Sequence, residues 1–408
     1  MKTRHVPVTP GDVVLLVGTA KGLFVLRAAG RRRRWELGGP YQAGRAVYTA
    51  ALDTRAGRQR LWAGVASLHW GAVISRSDDW GRTWHEPPEA NVRFPAESGL
   101  SLKQVWQITP GRADEPDRLF AGVEPAALFE STDAGATWTP VRGLLDHPHR
   151  ERWQPGGGGL CLHTIVPDAT NRERMWIAIS TGGVYRTEDG GRSWVARNKG
   201  IRAEFLPDQH PEFGQCVHKV VQHPARPDTL YAQNHWGLYR SDDGGDVWHD
   251  IARGVPSDFG FGMAIHPRAP DTVYIVPLES DMFRCVPEAR LRVYRTRDGG
   301  RSWHGLARGL PQRNAYETVL RDALATDGAE PAGVYVGTRS GKVYASRDEG
   351  ASWTLVADGL PPVLCVRAVI APGKPRAPRP RRPTRQRTRA RRGHSAGRRR
   401  RPVPRPVR

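Results

Sequence analysis

Two short motifs place a cysteine and a histidine where their side chains could act on the same ion or proton. Cys161-Leu162-His163 and Cys216-Val217-His218 each separate the two residues by two positions, which puts both side chains on one face of a strand. Zinc prefers thiolate sulfur and imidazole nitrogen, and the same two groups form the nucleophile pair of cysteine enzymes. What either pair can do therefore depends on the elements that position it.

Those elements belong to an internal repeat. The pattern Ser/Thr-x-Asp-x-Gly-x-x-Trp occurs six times, every 50 to 56 residues. Its aspartates are Asp79, Asp133, Asp189, Asp243, Asp298 and Asp348. A fixed period with strand-like segments between the copies indicates an architecture in which each unit buries its face on its neighbours.

Hairpin chemistry explains the repeated residue types. In a connection between two strands, glycine supplies a positive φ, while Asp and Ser/Thr side chains accept backbone N–H bonds. The Trp that follows packs its large apolar surface between sheets. We therefore predict a structural role for all six aspartates. The loops lack the alternating acidic ligands and the distal Glu of an EF-hand, so calcium binding is not predicted.

Each repeat contains four predicted strands, and the chain contains seven repeats. The second-strand segments are VVLLVGT at 13, LWAGV at 61, RLFAGV at 118, RMWIAIS at 174, TLYAQN at 229, TVYIVP at 272 and GVYVGT at 333. The first unit lacks an inner strand, and VLCVRAVIA at 363–371 can supply it. The pattern thus predicts an all-β, seven-bladed β-propeller of four-stranded antiparallel blades over residues 12–371, closed by pairing the N- and C-terminal strands.

The six copies, SDDWGRTW, STDAGATW, TEDGGRSW, SDDGGDVW, TRDGGRSW and SRDEGASW, resemble Asp-boxes, also called bacterial neuraminidase repeats. Proteins with these boxes include sialidases, other glycoside hydrolases, sortilin-type receptors and photosystem II assembly factors. The resemblance covers residues 12–371. It is specific for the fold and much less so for the function, because one propeller hosts many activities.

The resemblance implies that the aspartate hairpins lie on the face away from the functional site. The site would then be built from loops that enter the inner strands and loops that join strands two and three. Its candidate residues are Lys103, Trp106, Glu124, His163, Gln215, His218, Lys219, Asn234, His235, Trp236, Glu279, Tyr316, Arg321, Asp322 and Arg339. We expect them to bind a small polar ligand, a glycan or a protein partner. The alternative for any one of them is a paired polar network that only holds blades together.

The sialidase branch of this resemblance requires an arginine triad, a Tyr nucleophile assisted by a Glu, and an acid. Arg321 and Arg339 could be two triad members, and Tyr316 with Glu317 has the right residue types. However, adjacent residues on a strand point to opposite faces. The family's Arg-Ile-Pro sequence is represented only by Arg93-Phe94-Pro95, which follows the first box instead of preceding it. A true sialidase is therefore not predicted.

A more general glycoside hydrolase needs two carboxyl groups that face each other across one bond. Glu124 and Asp322 are the pair that we expect to be catalytic in that case, with Glu279 in reserve. Trp106 and Trp236 could stack on sugar rings. Because no catalytic motif is complete, a binding propeller is the first functional hypothesis and a glycoside hydrolase is the alternative.

The two Cys-x-His pairs stand at equivalent points of successive blades, about 10 Å apart by the spacing of packed sheets. That separation is too large for shared tetrahedral coordination at about 2.0–2.3 Å. A nucleophile pair would also need a third, orienting group, which neither motif provides. Neither a metal nor another cofactor is therefore predicted.

The net charge of +21 is concentrated at one end of the chain. Residues 371–408 contain 16 Lys/Arg and no acidic residue, which leaves 46 basic against 41 acidic residues in the rest. This Arg/Pro-rich segment cannot bury an apolar core, so residues 372–408 are predicted to be disordered. Nonspecific contact with polyanions is expected from its charge, but it has no aromatic residue for stacking on bases. We favour an incidental extension over a nucleic-acid arm.

The remaining composition fits a reduced, non-membrane protein. Its 14 Trp, 45 Gly and 34 Pro indicate many tight turns. The four cysteines are too few for a disulfide framework in so long a chain. No stretch is apolar enough to span a membrane, and the VVLLVGTA run is only as long as a strand. We expect a cytoplasmic monomer.

Overall fold

The structure of the chain is a computed structural model that consists mainly of antiparallel sheets. It describes residues 2–67, 71–87, 91–373, 397, 401–403 and 406–407. The chain divides into two units, Met1–Gly373 and Lys374–Arg408, and all 27 described strands lie in the first. The predictions made for residues 372–408 fall almost wholly outside the described residues, and they stay predictions.

The first half of the chain contributes β1 (Val13–Thr19), β2 (Gly22–Ala28), β3 (Glu36–Tyr41), β4 (Ala46–Asp53), β5 (Arg60–Ser67), β6 (Gly71–Ser77), β7 (Gln104–Pro110), β8 (Leu119–Glu124), β9 (Ala127–Ser131), β10 (Thr139–Pro140), β11 (Leu162–Pro167), β12 (Met175–Ile179), β13 (Gly183–Thr187) and β14 (Val195–Ala196). The second half contributes β15 (Val217–His223), β16 (Arg226–Asn234), β17 (Leu238–Ser241), β18 (His249–Asp250), β19 (Gly260–Ile265), β20 (Val273–Pro277), β21 (Val293–Thr296), β22 (His304–Leu306), β23 (Leu324–Thr326), β24 (Val334–Gly337), β25 (Val343–Ser346), β26 (Thr354–Ala357) and β27 (Val363–Ile370). One short helix, α1 (Arg142–Leu145), and 3₁₀ turns at Arg55–Gly57, Ala96–Ser98, Arg150–Arg152 and Pro287–Ala289 complete the elements of the described residues.

The strands form seven blades, which confirms the predicted seven-bladed β-propeller. Six sheets have four strands, in the orders β27-β1-β2-β3, β10-β9-β8-β7, β11-β12-β13-β14, β15-β16-β17-β18, β19-β20-β21-β22 and β23-β24-β25-β26. Within the described residues the second blade has three strands, β4-β5-β6. An isolated bridge between Arg76 and His85 lies where its fourth strand would follow.

The ring closes by pairing the first and last strands, as predicted. β27 pairs antiparallel with β1, from Val13 opposite Ile370 to Gly18 opposite Cys365. Every residue of β1 is buried, because this strand has a neighbouring strand on each side and a blade on each face. The pairing removes a sheet edge that would otherwise be exposed.

The aspartate hairpins bond within themselves. In the fifth copy, Thr296 Oγ1 donates to Asp298 Oδ1 at 2.7 Å, and the Ser302 backbone N–H donates to the same oxygen at 3.0 Å. The Gly300 N–H donates to Thr296 Oγ1 at 2.8 Å. The other five copies make equivalent bonds. Local hydrogen bonding therefore accounts for the Ser/Thr, Asp and Gly positions of the repeat.

The hydrogen bonds of these hairpins lead us to expect that the propeller is less stable at low pH. Burial alone would raise the pKa of Asp298, but hydrogen bonds from the Ser302 hydroxyl and backbone lower this pKa from 3.8 to about 2. A carboxyl group whose pKa is lower in the folded than in the unfolded state stabilises the fold at pH values above its unfolded-state pKa. This stabilisation is lost as the pH falls toward the folded-state pKa. We expect the unfolding free energy to fall between about pH 4 and pH 2, and Asp298→Asn to remove part of that fall. Urea unfolding measured at both pH values tests this, and identical pH slopes for wild type and variant would contradict it.

Within the described residues, no helix has the length and apolar character needed to cross a membrane.

Candidate functional site

A large cavity opens between loops of the propeller on one face. Its volume is about 1520 Å³. The inner strands β4, β7, β11, β15, β19, β23 and β27 neighbour one another around the ring, and the cavity is lined by residues at their entering ends and by long loops. Among the described residues, the lining includes none of the aspartate hairpins. The candidate site therefore lies apart from the repeated aspartates.

About half of the residues proposed from the sequence meet at this cavity. The candidates that line it are Trp106, Glu124, His218, His235, Trp236, Arg321, Asp322 and Arg339. Those that do not line it are Lys103, His163, Gln215, Lys219, Asn234, Glu279 and Tyr316.

Three of the candidates outside the cavity are buried and hydrogen-bonded to protein atoms, although Gln215 Oε1 and Asn234 Oδ1 have no partner among the described residues. The two ring nitrogens of His163 contact Thr164 Oγ1 and the Val217 carbonyl, each at 2.9 Å. The Asn234 amide donates to the carbonyls of Arg202 and Trp236. Gln215 Nε2 donates to the Pro211 carbonyl at 2.6 Å. These side chains tie strands and loops together, which is the alternative that the sequence left open.

The residue pair considered for a sialidase diverges, although both residues lie outside the described strands. Tyr316 is 67% exposed, whereas Glu317 is only 3% exposed. Glu317 bonds to Lys342 Nζ at 2.9 Å and to the Ser340 hydroxyl at 2.6 Å. Glu279 is also exposed and lies outside the cavity lining. None of these three residues lies where a nucleophile or acid in the cavity would have to be.

Asp322 lies at the cavity wall, but its carboxylate already forms ion pairs with two cations. Lys219 Nζ on β15 lies 2.6 Å from Asp322 Oδ1, and Arg367 Nη2 on β27 lies 3.0 Å from the same oxygen. Burial would raise the pKa of Asp322, but these two cations hold it well below its usual range. The carboxylate is therefore ionised at any physiological pH and cannot donate a proton. It joins three blades, and its pairing with Glu124 stays a prediction.

Glu124, at the end of β8, is the more accessible carboxylate. Its Oε2 accepts a hydrogen bond from Trp106 Nε1 at 3.0 Å, and Lys103 Nζ lies 4.0 Å from its Oε1. The loop over it approaches so closely that a Cβ on Gly159 would lie 2.5 Å from Oε1. The side chain is 17% exposed and lines the cavity.

Arg321 is a half-buried cation at the cavity wall. Its guanidinium carbon lies 5.0 Å from the Trp106 ring centroid and 6.0 Å from that of Phe261. Nη1 contacts Cys161 Sγ at 3.6 Å, while Nε is buried and has no acceptor among the described residues. Burial of an unpaired charge is unfavourable, so this guanidinium is poised to receive an anion.

The other arginines of the cavity also lack a carboxylate partner among the described residues, but they are exposed to solvent. Within the described residues, Arg152, Arg284, Arg321 and Arg339 all line the cavity and none forms a salt bridge. Arginines elsewhere in the ring commonly pair with carboxylates, as Arg174 does with Asp168 at 2.5 Å. Within the described residues the cavity therefore holds four guanidiniums without a carboxylate partner, and its lining also includes the carboxylates of Glu124, Asp208, Glu212, Asp281 and Asp322.

Aromatic rings lie beside these cations. Tyr48 and Trp106 have ring centroids 5.2 Å apart, and Phe205 and Trp236 have centroids 5.1 Å apart. All four rings line the cavity. Flat apolar rings on the wall of a polar cavity can stack on the apolar faces of sugars.

Three potential metal ligands lie together on the same wall. The ligand atoms of Cys216, His218 and His235 all lie within 4.8 Å of one another. All three residues line the cavity. Burial and, next, the charge of Arg321 lower the pKa of His218 well below its usual value, so its ring is neutral at physiological pH.

The sequence pattern missed several lining residues. Arg152 lies between α1 and β11, and Phe205 lies between β14 and β15. Both segments are long insertions without periodic apolar residues, so nothing local indicated their position. Arg284 lies in a segment already considered for the site, and its lack of an acidic partner became apparent only from the structure.

Comparison with known proteins finds weak sequence relatives and solved structures of similar fold. No family model matches the chain. A xyloglucanase from Paenibacillus sp. is 28% identical over 264 residues, which are 57% of this chain and 23% of that protein. An oligoxyloglucan-reducing end-specific xyloglucanase from Emericella nidulans is 23% identical over 256 residues, which are 56% of this chain and 30% of that protein. The chain thus spans less than a third of the length of these relatives.

Among solved structures, a GH74 enzyme from Niastella koreensis aligns with 92% of this chain and 56% of its own, with a TM-score of 0.56 and 15% identity. At that identity the likeness concerns the fold alone. The chain is a seven-bladed β-propeller with an open central cavity, and its weak sequence relatives are xyloglucanases by name.

Proposed function

We propose that this propeller binds a carboxylate-bearing oligosaccharide in its central cavity. The observation that carries the proposal is the set of four cavity arginines that form no salt bridge within the described residues. A guanidinium presents donors in a planar fork that matches a carboxylate, and such charge-assisted bonds are the strong ones. Arg321 is the central member, because its buried Nε lacks an acceptor among the described residues.

The size and lining of the cavity favour an oligosaccharide over a single small molecule. Its volume of about 1520 Å³ exceeds the roughly 300–1,000 Å³ of ordinary small-molecule pockets. The rings of Trp106 and Trp236 offer two surfaces on which sugars can stack. Relatives that are xyloglucanases by name make a glycan the expected ligand class.

A direct test compares an acidic with a neutral oligosaccharide by isothermal titration calorimetry. We expect a galacturonic acid oligomer to bind and a xyloglucan oligosaccharide of similar length to bind more weakly. The preference should shrink as salt is raised, since screening weakens interactions between exposed charges. Equal affinities that are insensitive to salt would contradict the role given to the arginines.

Hydrolysis of a glycan is the second candidate function, and it rests on the names of the relatives and on the position of Glu124 at the cavity. If the cavity cleaves xyloglucan, Glu124→Gln should lower the release of reducing ends by at least about 100-fold, because general acid–base catalysis contributes roughly 10²–10⁴-fold. The exposed Glu279 lies outside the lining and provides the matched control, Glu279→Gln. Turnover that persists unchanged in Glu124→Gln would remove Glu124 from the reaction.

A further inference from the structure

Three side chains from one blade converge on a point at the cavity wall. Cys216 immediately precedes β15, His218 lies on β15, and His235 immediately follows β16. Their ligand atoms lie within 4.8 Å of one another. The Cys216 sulfur lies 3.5 Å from His218 Nε2. Ligands at 2.0–2.3 Å from a tetrahedral ion lie about 3.3–3.8 Å from each other, so this pair already has the required separation.

The second nitrogen of His218 is held by the backbone. Nδ1 lies 2.6 Å from the Gly260 carbonyl oxygen, to which only a protonated nitrogen can donate. In the neutral ring Nε2 then carries the lone pair and faces the Cys216 sulfur. Histidines that bind metals almost always donate their other N–H to a carbonyl or carboxylate in this way.

The backbone of His235 is hydrogen-bonded to that of Cys216. Its backbone N–H donates to the Cys216 carbonyl at 2.9 Å, which fixes the start of its loop beside β15. The Asp281 carboxylate lies 3.6 Å from His235 Nε2. The loop after β16 thus supplies His235 as a third potential ligand, which is not part of the Cys-x-His motif.

The preceding blade provides a comparison within the same chain. Cys161 and His163 occupy the equivalent strand positions, but both nitrogens of His163 are bonded to protein atoms. His163 is also absent from the cavity lining, whereas Cys216, His218 and His235 all border the cavity. Of the two motifs, only the second has an imidazole nitrogen in contact with the sulfur of its own cysteine and also borders the cavity.

We propose that Cys216, His218 and His235 form a three-ligand site for a zinc-class divalent ion, with the fourth position open to the cavity. Three protein ligands and an open position are typical of zinc sites that bind an exogenous group, whereas closed four-ligand sites are structural.

The charges around the site favour an anion as the fourth ligand. The thiolate of Cys216 would offset one of the two charges of the ion. Arg284 lies over the Phe261 ring at 5.4 Å, and that ring packs against His218 at 4.5 Å. The Arg321 guanidinium carbon lies 6.0 Å from the centroid of the same ring. These guanidiniums add positive charge beside the open position, where a carboxylate or hydroxide would neutralise it.

The test uses the full chain, reduced and stripped of metal with a chelator, and titrates it with Co²⁺. We expect saturation at one equivalent, with strong visible bands of a tetrahedral ion and a near-ultraviolet thiolate-to-cobalt band that Zn²⁺ abolishes. Cys216→Ser should lose the thiolate band, and His235→Gln should weaken Co²⁺ affinity by more than about tenfold. The matched control Cys161→Ser should behave like wild type.

Two outcomes would overturn the proposal. One is a wild-type titration without a thiolate-to-cobalt band, and the other is a band that survives in Cys216→Ser but disappears in Cys161→Ser. Circular dichroism checks that each variant is folded. Should Cys216→Ser fail to fold, His235→Gln on the loop decides the matter, because unchanged Co²⁺ affinity in that variant would exclude the site.

Discussion

Replacing Asp322 with asparagine should lower the unfolding free energy of the ring by about 3–5 kcal/mol. The carboxylate accepts from Lys219 at 2.6 Å and from Arg367 at 3.0 Å, and all three groups are largely buried. Removing the negative charge leaves two cations without their partner in the interior. The loss of such a partner is costly because the remaining charge is neither solvated nor paired.

Denaturant unfolding of Asp322→Asn measures this effect. Asp208→Asn is the matched control, because Asp208 is exposed at the same cavity and forms no salt bridge within the described residues. A surface substitution of that kind should change stability by less than about 0.5 kcal/mol. If Asp322→Asn were as stable as the control, the carboxylate would not be the anchor of three blades and a catalytic role would reopen.

Replacing Arg321 with glutamine should weaken binding of an acidic oligosaccharide by about 10- to 100-fold. The estimate follows from hydrogen bonds to charged groups, which contribute about 1.5–3 kcal/mol. Arg321→Lys should recover only part of the affinity, because an ammonium cannot form the planar, paired bonds of a guanidinium. Affinity for a neutral oligosaccharide should change much less in both variants.

Arg301→Gln is the control for this experiment. Arg301 is exposed in the fifth aspartate hairpin, and no hairpin residue lines the cavity within the described chain. Its substitution should leave calorimetric affinity unchanged. Equal losses in the two variants would mean that the acid group binds by general attraction and not at Arg321.

The architecture could be predicted from the sequence because its determinants are local and repeated. Each Ser/Thr-x-Asp-x-Gly-x-x-Trp segment encodes its own hairpin, with bonds such as Thr296 to Asp298 that span two residues. The count of strands then fixed the number of blades. The first repeat lacks an inner strand and the segment at 363–371 is left over after the last repeat, and together these two features indicated how the ring closes.

The cavity could be predicted only in part, because its chemistry depends on contacts between distant residues. Arg321 and Asp322 are neighbours in sequence, yet among the described residues Arg321 lacks an ion pair and Asp322 has two. Asp322 is paired with Lys219, which is 103 residues away. No local pattern distinguishes such partners, so the proposed pairing of Asp322 with Glu124 could not have been tested before the fold was known.

The cluster of Cys216, His218 and His235 also could not be predicted from local sequence, although its residues lie closer together along the chain. From sheet spacing, Cys216 and His218 are expected about 10 Å from the equivalent pair of the preceding blade, which is too far for shared coordination. The third potential ligand lies on a loop of the same blade, and the spacing of the Cys-x-His motif does not indicate it. His235 lies on that loop, and the return of β16 beside β15 brings it to the start of its own inner strand.

The most direct test of the central claim is a crystal structure of the protein with a galacturonic acid trimer. We predict that a sugar carboxylate lies within hydrogen-bond distance of the Arg321 guanidinium and that a sugar ring packs on Trp106 or Trp236. A trimer bound at the aspartate hairpins, with the cavity occupied only by solvent, would contradict the account.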